Sequence, residues 1–247
     1  MMKKILPLAL LLAITTTWAQ SNFNKQPGKK EFKKGMVTYE SFTDSNGAVS
    51  YGFRINGLIV GPNMVLHTNG KSSFVNYNLS SQMDGTLIEM DKNSGTIDLI
   101  TYRDGEKDGP SFKITNGKPS SSQQYKNGKI DPKGFNPPPP GKYALQKGDG
   151  KTGLTMEKYD KSYALGYFIH GYRNFPMIHV WNDGDSYYGQ YMFGERRGFG
   201  VFFYKNGNKY VGYWDENYRE GLGFLVDKNG VVIEKGYYDD GKLVTPL

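Results

Sequence analysis

Six carboxylates stand in adjacent or near-adjacent pairs toward the C-terminal end of the chain: Asp183 and Asp185, Asp215 and Glu216, Asp239 and Asp240. Paired carboxylates are what acid–base or glycosidase chemistry requires. Each pair falls at or beside a turn signal, where aspartate is favoured because its side chain bonds nearby backbone amides. They read as solvated turns, with weak calcium binding as the sharper alternative. The three histidines, His67, His170 and His179, lack His-x-His or His-x-x-x-His spacing, and the chain has no cysteine, which argues against a zinc centre. His170 and His179 read as turn-edge or packing residues. Gly150-Lys151-Thr152 imitates the end of a phosphate-binding loop, yet Leu145 stands where a further glycine is required. No Gly-x-Ser-x-Gly nucleophile elbow occurs. The sequence therefore assigns no catalytic residue, no metal ligand and no cofactor. Arg196, Arg197 and Arg219, with Glu195, read as solubilising charges. Two arginines beside tyrosines are also what an acidic sugar or a phosphate headgroup would want.

The elements that carry these residues are written twice over. Tyr187-x-Gly189-x-Tyr191-x-x-Gly194-x-x-x-Gly198-x-Gly200 is followed at a 23-residue interval by Tyr210-x-Gly212-x-Trp214, with Asn217 in place of the third glycine and then Gly221-x-Gly223. Asn206-Gly207 and Asn229-Gly230 repeat at the same interval, with Asp183-Gly184 upstream. A fixed period of this size marks a repeat array. Asn-Gly and Asp-Gly predict two-residue hairpin turns. Tyr187, Gly189 and Tyr191 alternate with Tyr188 and Gln190, so they share one face of a strand. Glycine weakens a strand and marks close approach by another group. The expected visitor is an aromatic ring from the neighbouring strand lying over the bare backbone, as in aromatic rescue.

This pattern resembles the MORN repeat, Y-x-G-x-W-x-x-G-K-x-x-G-x-G, which Tyr210, Gly212, Trp214, Gly221 and Gly223 follow closely. The preceding copy follows it with Tyr191 replacing tryptophan. The resemblance covers about sixty residues. It implies an all-β, elongated, single-layered, twisted antiparallel sheet of stacked hairpins, possibly in two blocks, and no reaction.

Residues 1–19 read as an export signal: Lys3 and Lys4, an apolar run from Ile5 to Ile14, and Thr17-Trp18-Ala19 as cleavage site. The run is too short for the roughly 30 Å of hydrocarbon that a membrane anchor must span. The compact signal has a bacterial look, which places the protein in the periplasm, at the outer membrane or outside the cell. Residues 20–36 carry five lysines against one glutamate and read as a basic disordered tail. Of the net charge of +7, little belongs to the body: residues 37–247 hold 24 basic and 23 acidic groups. Such balance does not suit nucleic acid.

Within 37–130 a degenerate repeat shows in Gly61, Gly85 and Gly109 and in Asn46, Asn69, Asn93 and Asn116; it looks like the abbreviated bacterial variant of the same family. Residues 131–160, with the tetraproline Pro137–Pro140, read as a linker between two repeat blocks, with glycines at partial register in its second half. Residues 161–247 hold the clear repeats and close with Glu234-x-Gly236-x-Tyr238 and an edge carrying Pro246.

The leading expectation is a non-enzymatic exported scaffold that binds a protein partner through a Tyr-rich sheet face or edge. Tyr188, Arg196, Arg197, Tyr213 and Arg219 are the candidate binding residues. Attachment to anionic phospholipid or glycan of the envelope is the alternative, and a hydrolase with an unrecognised site the third reading.

Overall fold

A computed structural model of the chain describes residues 36–133 and 152–247. The segment read as an export signal, nearly all of the segment read as a basic tail, and the tetraproline lie outside the described residues. The described residues form strands and turns, with no helix among them. The first block holds β1 (Val37–Thr43), β2 (Val49–Ile55), β3 (Leu58–Leu66), β4 (Lys71–Tyr77), β5 (Gly85–Asp91), β6 (Thr96–Arg103), β7 (Glu106–Thr115), β8 (Lys118–Lys126) and β9 (Lys129–Ile130). The second holds β10 (Gly153–Tyr159), β11 (Ser162–Ile169), β12 (Tyr172–Trp181), β13 (Ser186–Met192), β14 (Glu195–Phe203), β15 (Lys209–Asp215), β16 (Tyr218–Val226), β17 (Val232–Asp239) and β18 (Lys242–Pro246). Each block is an antiparallel meander in which every strand pairs with the next. The end of the segment read as a linker is thus a strand, β10, paired along β11.

Two kinds of turn alternate along the sheets, and Asn-Gly pairs serve in both. In the second block, Asn206-Gly207 belongs to a three-residue loop: the Gly207 amide bonds the Tyr204 carbonyl, the Tyr204 amide bonds that of Asn208, and of the pair only Gly207 has positive φ. That is a tight turn closed by one left-handed residue. The two-residue turns, with both residues left-handed, are instead His170-Gly171, Phe193-Gly194, Glu216-Asn217 and Asp240-Gly241. In the first block Asn56-Gly57, Asn116-Gly117 and Asn127-Gly128 do take the two-residue form. The difference is one of register: the loop type that closes each hairpin is set by how the flanking strands pair, and the dipeptide fits both.

The expected single layer has a second one laid over it. Along β14, Phe199 and Val201 point away from the Tyr-Gly face, as do Val211 on β15 and Leu222 and Phe224 on β16. All five are at most 3% exposed. They meet Phe53, Val60, Met64, Phe74, Ile88, Leu99 and Phe112 of the first block in one shared core. Tyr39 packs edge-on to Phe224 (5.4 Å between centroids), Phe74 to Phe203 (5.8 Å), and Phe112 lies 6.2 Å from Tyr167. The second sheet therefore covers the first in reverse strand order, β16 over β1 and β2, β14 over β4, and β11 over β7. A sheet apolar on both faces cannot leave one wet, and face-to-face packing buries it.

Candidate ligand-binding face of the second sheet

The Tyr-Gly face of the second sheet points away from the first block and is buried by its own side chains. Tyr187 lies over Gly189 and Gly200, which face each other across β13 and β14. A Cβ added at Gly189 would come 2.7 Å from the Tyr187 hydroxyl. Tyr210 likewise covers Gly212 and Gly223, where an added Cβ would meet the ring at 2.5 and 2.6 Å from Cζ. The ring over Gly189 or Gly212 thus comes from two residues earlier on the same strand, not from the neighbour as expected; the neighbour is the second glycine that the same ring shields. Tyr187, Tyr210 and Tyr238 are fully buried. Ring meets ring edge to face along the row: Tyr187 with Tyr191 and Trp214 (5.3 and 5.5 Å), and Tyr210 with Trp214 and Tyr238 (5.3 and 5.1 Å). Such contacts add about 0.5–1.5 kcal/mol each beyond burial. Burial pushes the Tyr187 and Tyr210 hydroxyls well above the usual tyrosine range and Tyr191 up to about 12. In the first block the cover is polar instead: Asn63 fills the space over Gly52, and Thr101 that over Gly109.

Over this aromatic row runs a ladder of arginines, Arg173, Arg196 and Arg219, spaced by 23 residues. Each pairs across its own hairpin with the aromatic at the motif's tryptophan position: Arg173 with Phe168, Arg196 with Tyr191, Arg219 with Trp214. Each then stacks over the corresponding aromatic of the following unit: Arg173 over Tyr191 (4.9 Å), Arg196 over Trp214 (4.3 Å), Arg219 over Tyr238 (5.7 Å). Arg196 also lies over Tyr187 and Phe202, and Arg219 over Tyr210. Asn217, standing where the motif has glycine, anchors Arg196: its carbonyl accepts from Nη2 at 2.9 Å and its side chain from the Arg196 amide at 3.0 Å. Burial lowers the Arg196 pKa, and among the described residues it makes no ion pair. Arg219 donates to the Tyr204 hydroxyl at 2.6 Å and has Glu234 at 3.8 Å. Between the last two rungs opens a cavity of about 290 Å3 lined by Arg196, Phe202, Tyr204, Trp214, Tyr218 and Arg219. Tyr218 is 57% exposed.

The candidate binding residues divide between this face and other places. Arg196 and Arg219 stand on the ladder. Arg197 does not: it pairs with Glu195, Asp215 and Glu216. Tyr188 and Tyr213 point into the shared core between the sheets, because alternation puts them opposite Tyr187 and Trp214. Arg173 was missed, although its position one repeat before Arg196 is visible in the sequence. The framework residues Gly194, Gly198, Gly221 and Gly236 sit in turns and close-packed strands, each with positive φ. Of the paired carboxylates, Asp183 accepts from the Asp185 amide, and Asp185 from that of Lys205.

His179 lies at the first rung, 5% exposed and stacked on Trp181 at 4.1 Å. Its Nδ1 faces both Arg173 Nη1 (2.8 Å) and the Tyr191 hydroxyl (3.0 Å), and its Nε2 faces Ser162 Oγ (2.9 Å). Arginine only donates, so Nδ1 accepts and the ring is neutral with its proton on Nε2. Burial, with Arg173 and Arg196 adding to it, lowers its pKa from 6.5 to about 4. The unfolded chain therefore binds this proton at a pH where the folded one refuses it, and stability must fall as pH drops from about 6.5 toward 4. Urea midpoints at pH 7.5 and pH 4.5 are expected to differ less in His179→Gln than in the parent protein. Equal slopes would refute the neutral, buried assignment.

No family model matches the chain, and no curated protein matches it. A solved structure that is similar over 81% of this chain and 89% of its own is the SAS-4 (dCPAP) TCP domain of Drosophila melanogaster in complex with a proline-rich motif of Ana2 (dSTIL), at 10% identity and a TM-score of 0.20. At that score the likeness carries no argument.

Proposed function

We propose that the protein is a non-enzymatic, exported repeat scaffold that binds a protein partner through the outer face of its second sheet, and that its hairpins are MORN-type repeats. The observation that carries this is the arginine ladder, repeated at the same interval as the fold itself. A cation held over aromatic rings with carbonyl partners is a binding surface: stacked guanidinium and ring present charge and flat apolar area together. Asp183 and Asp185, which accept from backbone amides, and Asp215 and Glu216, which pair with Arg197, favour a scaffold over a hydrolase.

Two substitutions test it. Arg196→Gln and Tyr218→Ala are each expected to abolish at least nine-tenths of the partner retained from a cell-envelope extract by the immobilised protein. Replacing Phe42, 59% exposed on the first sheet's edge strand, by Ala leaves retention unchanged. Retention indifferent to both ladder substitutions would refute the reading.

Attachment to anionic phospholipid is the second reading, favoured by the absence of a carboxylate on Arg196. Co-sedimentation with phosphatidylglycerol vesicles at low salt, with and without residues 20–36, separates it. Lack of binding would dismiss it.

A further inference from the structure

The arginine ladder has a pitch as well as a charge. Arg173, Arg196 and Arg219 start β12, β14 and β16, alternate strands of one sheet. Neighbouring strands lie about 4.8 Å apart, so successive guanidinium groups recur about every 9.6 Å, across the strands and not along them. Resting on the scaffold reading, we propose that this face binds an acidic peptide segment of its partner in the extended polyproline II form, running across the strands with a carboxylate at every third residue.

The spacing selects the form. Polyproline II rises about 3.1 Å per residue with three residues per turn, so carboxylates three apart recur every ~9.3 Å on one side. A β-strand repeats its faces every ~6.6 Å, giving no match below three rungs. Two turns of α-helix cover ~10.8 Å, and a straight rod parts from a row that the sheet twist rotates by about 40–50° per rung. An extended chain follows that rotation.

The partners selected by charge are equally specific. Arg196 is held by an uncharged carbonyl, and Arg173 by the Gly194 carbonyl and neutral His179. Both are half-buried with rings beneath them, the setting in which a charge-assisted pair with carboxylate is strongest. Arg219 already has Glu234 at 3.8 Å and makes the weakest rung. Between the last two rungs, exposed Tyr218 and half-buried Tyr204 offer flat faces to the two residues between carboxylates, while Trp214 and Phe202 lie beneath Arg196, and proline is the residue whose ring stacks on such faces while holding the extended form. A bilayer suits this face less well than a peptide: its charges lie in a plane, whereas these cations sit among rings on a twisted sheet.

The test is titration of the whole exported chain with the synthetic peptide (Glu-Pro-Pro)4, followed by Trp fluorescence at low salt. The control is a peptide of the same composition with its four glutamates adjacent. The period-three peptide is expected to bind at least tenfold more tightly than the control. Arg196→Gln and Arg173→Gln are each expected to weaken it at least tenfold and Arg196→Lys less; Tyr218→Ala, at an exposed site, checks the result without risk to folding. Equal affinity for the two peptides, or indifference to both Arg→Gln substitutions, would overturn the proposal. So would tighter binding to phosphatidylglycerol vesicles or to an acidic polysaccharide than to the period-three peptide. If the peptide fails while envelope-partner retention still depends on Arg196, the scaffold reading stands and only the peptide geometry is lost.

Discussion

Val211→Asp is expected to abolish the folded state. Val211 is fully buried on the side of β15 that faces the first block, within the core shared by the two sheets. No basic side chain of that cluster stands ready to pair with a carboxylate there. An uncompensated charge in such a site costs several kcal/mol, on the order of 4 or more. That is comparable with the whole stability of a domain, roughly 5–15 kcal/mol. Circular dichroism and a urea titration read the result. The same change at Tyr218, exposed on the opposite side, leaves the midpoint within error. A single-layered sheet would tolerate Val211→Asp nearly as well as Tyr218→Asp, so parity between them would refute face-to-face packing.

The second large effect lies on the outer face. Tyr210→Ala is expected to cost about 3–5 kcal/mol, the range for deleting a fully buried aromatic. The loss is larger in kind than a cavity, since both Gly212 and Gly223 would be left as bare backbone. Tyr210→Phe is expected to cost much less, because the hydroxyl's bond to the Tyr213 carbonyl is long, at 3.4 Å. Gly212→Ala is expected to cost about 1–3 kcal/mol by overpacking against that ring. In the Tyr210→Ala background it should cost less than half as much, since contacting residues are energetically coupled. Four urea midpoints complete the cycle. Strict additivity would show that the ring and the glycine do not act on each other.

Within the second sheet, much is legible in the sequence. The alternation of Tyr187, Gly189 and Tyr191 put ring and glycine on one face, and the glycine demanded a cover. What could not be read was which chain segment supplies that cover. A ring two residues away on the same strand and a ring across the ladder satisfy the same pattern, and only side-chain direction separates them. Arg196 and Arg219 were singled out by type, but Arg173 was passed over, because its neighbours Asn174 and Phe175 depart from the motif. The spacing alone would have found it. Tyr188 and Tyr213 were misjudged for the opposite reason: tyrosine is at home on a wet face and in a core alike, and the sequence does not say what lies opposite.

By itself the sequence determined the local grammar: antiparallel hairpins at a 23-residue period, and glycines where rings must lie flat. Those follow from short-range sterics and strand alternation, which need no knowledge of distant residues. Only the tertiary structure decided that the two blocks lie face to face in reverse order, and that the arginines form a continuous row on the side left uncovered. The apolar positions Phe199, Val201 and Phe224 announce that something must bury them. What buries them is a matter of shape complementarity between segments more than a hundred residues apart, and hydrophobic burial, being non-directional, leaves no mark of its partner in the sequence.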